Sequence, residues 1–91
     1  MKSDSKEVRR MPVIPISVYR ELELVPPIPL AAIGEAIREL PDEPYPQGVC
    51  PLPRNPDYYV LSVDEWRIIY HVTDKAVELF AVVRGRYQQL H

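Results

Sequence analysis

The sequence predicts an α+β domain: a small antiparallel sheet with one or two N-terminal helices packed on one face. Three observations carry that reading. All eleven prolines lie between Pro12 and Pro56, so residues 57–91 contain none. Proline lacks a backbone donor and is excluded from helix interiors and central strands, so regular sheet belongs to the proline-free part. Within the proline-rich part, Leu30, Ile33, Ile37 and Leu40 recur at helical spacing. Within the proline-free part, three period-two apolar runs are separated by the two-residue connections Asp64-Glu65 and Asp74-Lys75.

Taken in order, residues 1–7 are polar and expected to be frayed, leaving residues 8–91 as a single domain. Residues 8–14 read as a short strand that Pro12 either interrupts or places at an edge. The next segment reads two ways. Val18, Leu22 and Val25 have helical spacing, with Ser17 as N-cap, whereas Leu22 and Leu24 alternate with Glu21 and Glu23 as in a strand; helix is the preferred reading. Residues 30–40 form an amphipathic helix bracketed by prolines, with Glu35, Arg38 and Glu39 opposite the apolar stripe. Residues 41–56, "PDEPYPQGVCPLPRNP", read as an extended loop holding the single thiol, Cys50, as a buried or idle group. Residues 58–63, 66–73 and 76–84 then read as an antiparallel meander.

Two-residue connections set the register, pairing Val63 with Trp66 and Thr73 with Ala76. One face then carries Tyr59, Leu61, Val63, Trp66, Ile68, Tyr70, Val72, Val77, Leu79, Ala81 and Val83, which the helix of residues 30–40 covers. The second face carries three rows: Tyr58, His71 and Glu78; Val60, Ile69 and Phe80; and Ser62, Arg67 and Val82. Arg84 is expected just beyond, beside Arg67, with Arg86 nearby. His71 and Glu78 suit a cross-strand polar pair. Clustered arginines repel one another unless an anion or a partner's carboxylates compensate them.

Composition narrows the classes. An apolar content of 46% and a charged content of 26% describe a globular chain. One cysteine excludes an intramolecular disulfide and a cysteine-based zinc cluster. The N-terminal "MKSDSKEVRR" lacks the apolar core of a signal peptide, and no apolar run reaches spanning length, so a cytoplasmic protein without membrane association is expected. Net charge is −2, so any nucleic-acid contact must come from a local cluster.

From about Leu22 onward the chain resembles the RelE/ParE toxin superfamily, the small toxins of type II toxin–antitoxin pairs. "LVPPIPLAAIGEAIRELPDEPYPQGVCPL" is similar to the family's second helix and following loop, including its P-x-P-x-G-V stretch. "YYVLSVDEWRIIYHVTDKAVELFAVV" is similar to its central hairpin. The resemblance implies the βααβββ order of the RelE-like, microbial-RNase-like fold, and so a helix over residues 18–24. It implies a metal-independent endoribonuclease without cofactor that enters the ribosomal A site and cuts mRNA. The 2′-hydroxyl attacks the adjacent phosphate, arginines stabilise the charge that develops, and other side chains transfer the protons.

Carried onto this chain, the resemblance makes Arg67 the arginine of the family's central strand. Arg67, Arg86, Tyr87 and His91 are the catalytic candidates, and Arg84, Ser62 and Arg54 the phosphate-binding ones. Tyr58, His71 and Glu78 form a second constellation. The chain departs from the family at several of these positions. Val60 and Ser62 stand where basic residues are usual, and "GRYQQLH" replaces a segment of the type "GHRrevY". Gly85 matches; Arg86, Tyr87 and His91 fall at the family's histidine, arginine and terminal tyrosine. A one-residue slip would make Arg86 the arginine and Tyr87 the ring donor.

Three functions follow: an mRNA interferase, a ParE-like inhibitor of DNA gyrase, or a catalytically degenerate member that only binds its antitoxin. In each, the expected partner is a cognate antitoxin whose acidic or amphipathic segment covers apolar positions and neutralises the arginines. The expected assembly is a homodimer or a toxin–antitoxin hetero-oligomer.

Overall fold

Proline placement dictates where this chain is irregular. In the computed structural model, which describes residues 9–85, the elements run β1 (Met11–Val13), α1 (Ile16–Leu22), α2 (Pro27–Glu39), β2 (Cys50–Pro51), β3 (Tyr58–Val63), β4 (Trp66–Val72) and β5 (Ala76–Arg84). The strands form one sheet in the order β1-β5-β4-β3-β2. The class is the expected α+β, with two helices. The sheet is mixed, however, because β1 joins β5 in parallel, pairing Met11, Pro12 and Val13 with Ala76, Val77 and Glu78.

Both outer strands contain proline, and both lie at an edge, where a missing N–H leaves no ladder bond unmade. Pro12 stands in β1 and Pro51 in β2. The two-residue β2, paired with Val60 and Tyr59 of β3, lies inside the segment read as loop. Proline masks strand propensity there, and Cys50 is exposed.

The helices start at prolines too. Pro15 caps α1 in extended geometry, and its carbonyl accepts from the N–H groups of Val18 and Tyr19 at 3.0 and 3.2 Å. Ser17, read as the cap, therefore lies within the first turn. Helix α2 begins at Pro27, where an absent N–H has no helical partner to lose, and Pro26 accepts from Leu30 at 2.9 Å.

Val18 of α1, Val25, and Ile33, Ile37 and Leu40 of the α2 stripe pack on Trp66, Ile68, Tyr70, Val72, Val77, Leu79 and Val82. The buried Tyr70 hydroxyl donates to the Pro44 carbonyl at 2.7 Å, fastening the proline-rich loop to the core.

Neither hairpin needs glycine. Asp64 takes the left-handed region itself, at φ 55°, a conformation that a short polar side chain tolerates better than most. In the second turn the Thr73 hydroxyl accepts from the N–H groups of Lys75 and Ala76 at 3.3 and 3.0 Å. The β3–β4 register is the expected one, with Tyr58 opposite His71, Val60 opposite Ile69 and Ser62 opposite Arg67.

The β4–β5 register departs from expectation after Leu79. Tyr70 pairs with Leu79 but Ile69 pairs with Ala81, so Phe80 is an extra residue, a β-bulge. The bulge reverses the parity of everything after it. Val82 turns to the core and is 5% exposed, while Ala81 and Val83, read as core, lie on the second face.

Candidate functional site

The second face, away from the helices, is accessible mainly at its two ends, because Val60 and Ile69 at its centre are 6% and 3% exposed. One end holds Ser62 and Arg67, side by side on β3 and β4. The Arg67 Nη1 donates to the carbonyls of Asp64 at 2.9 Å and Trp66 at 3.0 Å. The guanidinium is thus pinned over the β3–β4 turn, and no described carboxylate pairs with it. Nε and Nη2 remain to donate to an anion. This is a fixed cation on a strand, at lower ordering cost than a free surface arginine.

Arg84 does not join it. The bulge sets Arg84 opposite Trp66, on the helix-bearing face. There its guanidinium lies 5.8 Å from the Trp66 ring centroid, and Nη2 pairs with Glu65 Oε2 at 2.8 Å. The expected Arg67–Arg84 cluster is therefore divided between two faces at one end of the sheet. Arg54 is exposed in the β2–β3 turn, at the opposite end. Ser62 adds a hydroxyl and no charge. Arg86, Tyr87 and His91 lie outside the described residues.

The far end is an aromatic cluster. The Tyr58 and His71 rings stack at 4.5 Å and 27°, and Phe80 meets Tyr58 edge-on at 5.8 Å and 85°. His71 Nδ1 lies 3.4 Å from Glu78 Oε1. The expected His71–Glu78 pair is present, and the bulge adds Phe80 beside it, 61% exposed. Nothing in the sequence marks Phe80 as a bulge, since β5 contains neither glycine nor proline. Four residues at about 3.3 Å each separate Arg67 from His71 by roughly 13 Å, too far for both to act on one phosphate. Among the described residues no group of three His, Cys, Asp or Glu side chains is arranged to hold a metal ion. None of the described helices is long and apolar enough to cross a membrane.

Solved structures share this fold. The chain resembles the toxin–antitoxin complex RelBE2 from Mycobacterium tuberculosis at a TM-score of 0.70 and 27% identity, covering 89% of this chain and 97% of that one. It resembles the archaeal RelE–RelB complex from Pyrococcus horikoshii OT3 at 0.76 and 22% identity, covering 87% and 98%. Against the isolated E. coli RelE toxin the TM-score is 0.73 at 15% identity, covering 89% of each chain. Residues 28–89 match the family described as the ParE toxin of type II toxin–antitoxin system, parDE. No curated protein matches by sequence.

Proposed function

Because the chain belongs to the ParE toxin family of type II toxin–antitoxin systems, within the RelE/ParE superfamily, we propose that it is a RelE-like mRNA endoribonuclease. It works on the ribosome and is neutralised by a cognate antitoxin. The observation that carries this reading is Arg67: a guanidinium fixed by two backbone carbonyls, lacking a described carboxylate partner, on the sheet face opposite the helices.

The chemistry asks for such a group. Attack of a ribose 2′-hydroxyl on the neighbouring phosphate places extra negative charge on the phosphoryl oxygens. A cation held in place before the reaction stabilises that charge without reorganising. Arg67 takes this role, with Ser62 beside it as a hydrogen-bond donor to the same phosphate. The proton transfers are assigned to Tyr87 or His91, with Arg86 as a second phosphate contact. The antitoxin restrains the enzyme by presenting a carboxylate to Arg67 in place of the phosphate.

Inhibition of DNA gyrase without catalysis is the second reading. It is favoured by the ParE family match and by Arg84, whose charge is paired with Glu65 on the other face. One experiment separates the two. Purified protein is added to a translating extract, new mRNA 5′ ends are mapped, and gyrase supercoiling is followed in parallel. Cuts within translated codons with supercoiling unchanged support the endoribonuclease; lost supercoiling with intact mRNA supports the gyrase inhibitor.

A further inference from the structure

The aromatic end of the second face has no part in the phosphate chemistry, yet it is built as a distinct unit. We propose that Phe80, with Tyr58, His71 and Glu78, forms a nucleobase-stacking subsite that holds the single-stranded RNA flanking the cleaved phosphate. The inference rests on the endoribonuclease reading and assigns the substrate class that this end of the site takes.

Four observations converge on it. Phe80 is 61% exposed although the core residues of β5 on either side of it, Leu79 and Val82, are 2% and 5% exposed, so its ring contributes little to the core. It sits at a β-bulge, a device that re-aims a side chain next to a site. Its ring meets Tyr58 edge-on, and Tyr58 is itself stacked on His71, so the three rings are assembled side by side without a ligand. Glu78 spends Oε1 on His71 and is half-exposed, leaving Oε2 to accept from a base N–H at the edge of the platform.

Exposed rings on neighbouring strands bind unpaired bases because every base has a π face. A span of roughly 13 Å from Arg67, taken at about 3.3 Å per strand residue, reaches bases adjoining the reacting phosphate. The surroundings also favour a base over a run of phosphates. Glu78 lies within the cluster, Arg10 spends its Nε on the Thr73 carbonyl two residues beyond His71, and Arg67 stands at the other end of β4. Affinity should therefore depend weakly on salt. With about two phosphates neutralised, the slope of log K against log salt is about −1.4.

The test uses the full chain and a fluorescein-labelled, 2′-O-methylated RNA octamer, which binds but supplies no attacking hydroxyl. Binding is read by anisotropy for wild type, Phe80→Ala and Phe80→Tyr, with mass determined by light scattering and folding checked by thermal melting. The expected result is that Phe80→Ala binds about five- to a hundredfold more weakly while melting as wild type does. Phe80→Tyr keeps the ring and restores binding. Equal binding by wild type and Phe80→Ala overturns the subsite, and leaves the endoribonuclease reading intact if wild type still cuts mRNA in the translating extract. Absence of both binding and cutting overturns both readings. A wild-type dimer that Phe80→Ala converts to a monomer also overturns the subsite, and assigns the ring to contact between two copies.

Discussion

Tyr70→Phe removes one oxygen atom from the centre of the molecule. Tyr70 is fully buried, and its hydroxyl donates to the Pro44 carbonyl at 2.7 Å, across 26 residues of sequence. Phenylalanine keeps the ring packing, so the change isolates this bond. It also leaves the Pro44 carbonyl without its donor, which costs about 1–3 kcal/mol. Taking about 2 kcal/mol, and 4–8 °C per kcal/mol for a domain of this size, the melting temperature should fall by about 8–16 °C. Circular dichroism melts at neutral pH measure it. A fall of less than about 2 °C would show that the loop is not fastened through this bond.

The same residue sets an alkaline limit. Burial, reinforced by the neighbouring Tyr45 and Tyr59, raises the Tyr70 phenol above its ordinary 10.0. The folded state thus holds this proton more tightly than the unfolded state does. Its stabilising share is complete below pH 10 and is lost as pH rises from there toward the folded value. Wild type should lose stability above pH 10 more steeply than Tyr70→Phe, and equal slopes would contradict the assignment.

Two further substitutions test the packing. Glu21→Ala deprives the Val82 N–H of its acceptor, Glu21 Oε1 at 2.8 Å, at a place where β1 has already ended; urea unfolding should show a loss of about 1–3 kcal/mol. Ile33→Ala opens a cavity at a fully buried position between α2 and the sheet and should cost about 2–5 kcal/mol in the same measurement.

Much of the molecule is legible in residue order because local rules and tertiary packing agree. The α2 stripe, the β3–β4 register and the core roles of Trp66 and Tyr70 all follow from periodicity and loop length. Elsewhere the decisive contacts are distant ones. The parallel pairing of β1 to β5 joins segments more than sixty residues apart, and no local pattern encodes it. Strand β2 is hidden because Pro51 is tolerated only at an edge, which is itself a tertiary property. The bulge has the largest consequence for the site. One extra residue at Phe80 returns Val82 to the core, sends Arg84 to the face of Trp66 and leaves an exposed ring beside Tyr58. Period-two counting through Ala76–Arg84 has no means of detecting that insertion. Arg67 escapes the error because it precedes the bulge and its partner Ser62 is fixed by the first hairpin.

The central claim is that Arg67 stabilises charge on a scissile RNA phosphate, and cleavage rates of Arg67→Ala and Arg67→Lys against wild type test it most directly. The measurement is the rate at which ribosome-bound mRNA is cut after saturating toxin is added to a translating extract. Loss of a preorganised phosphate contact is worth about 3 kcal/mol, so Arg67→Ala should cut at least about a hundredfold more slowly. Lysine, a point charge without the fork that binds both the turn carbonyls and a phosphate, should recover only part of the rate. An Arg67→Ala rate within about twofold of wild type, with the protein folded, would contradict the account.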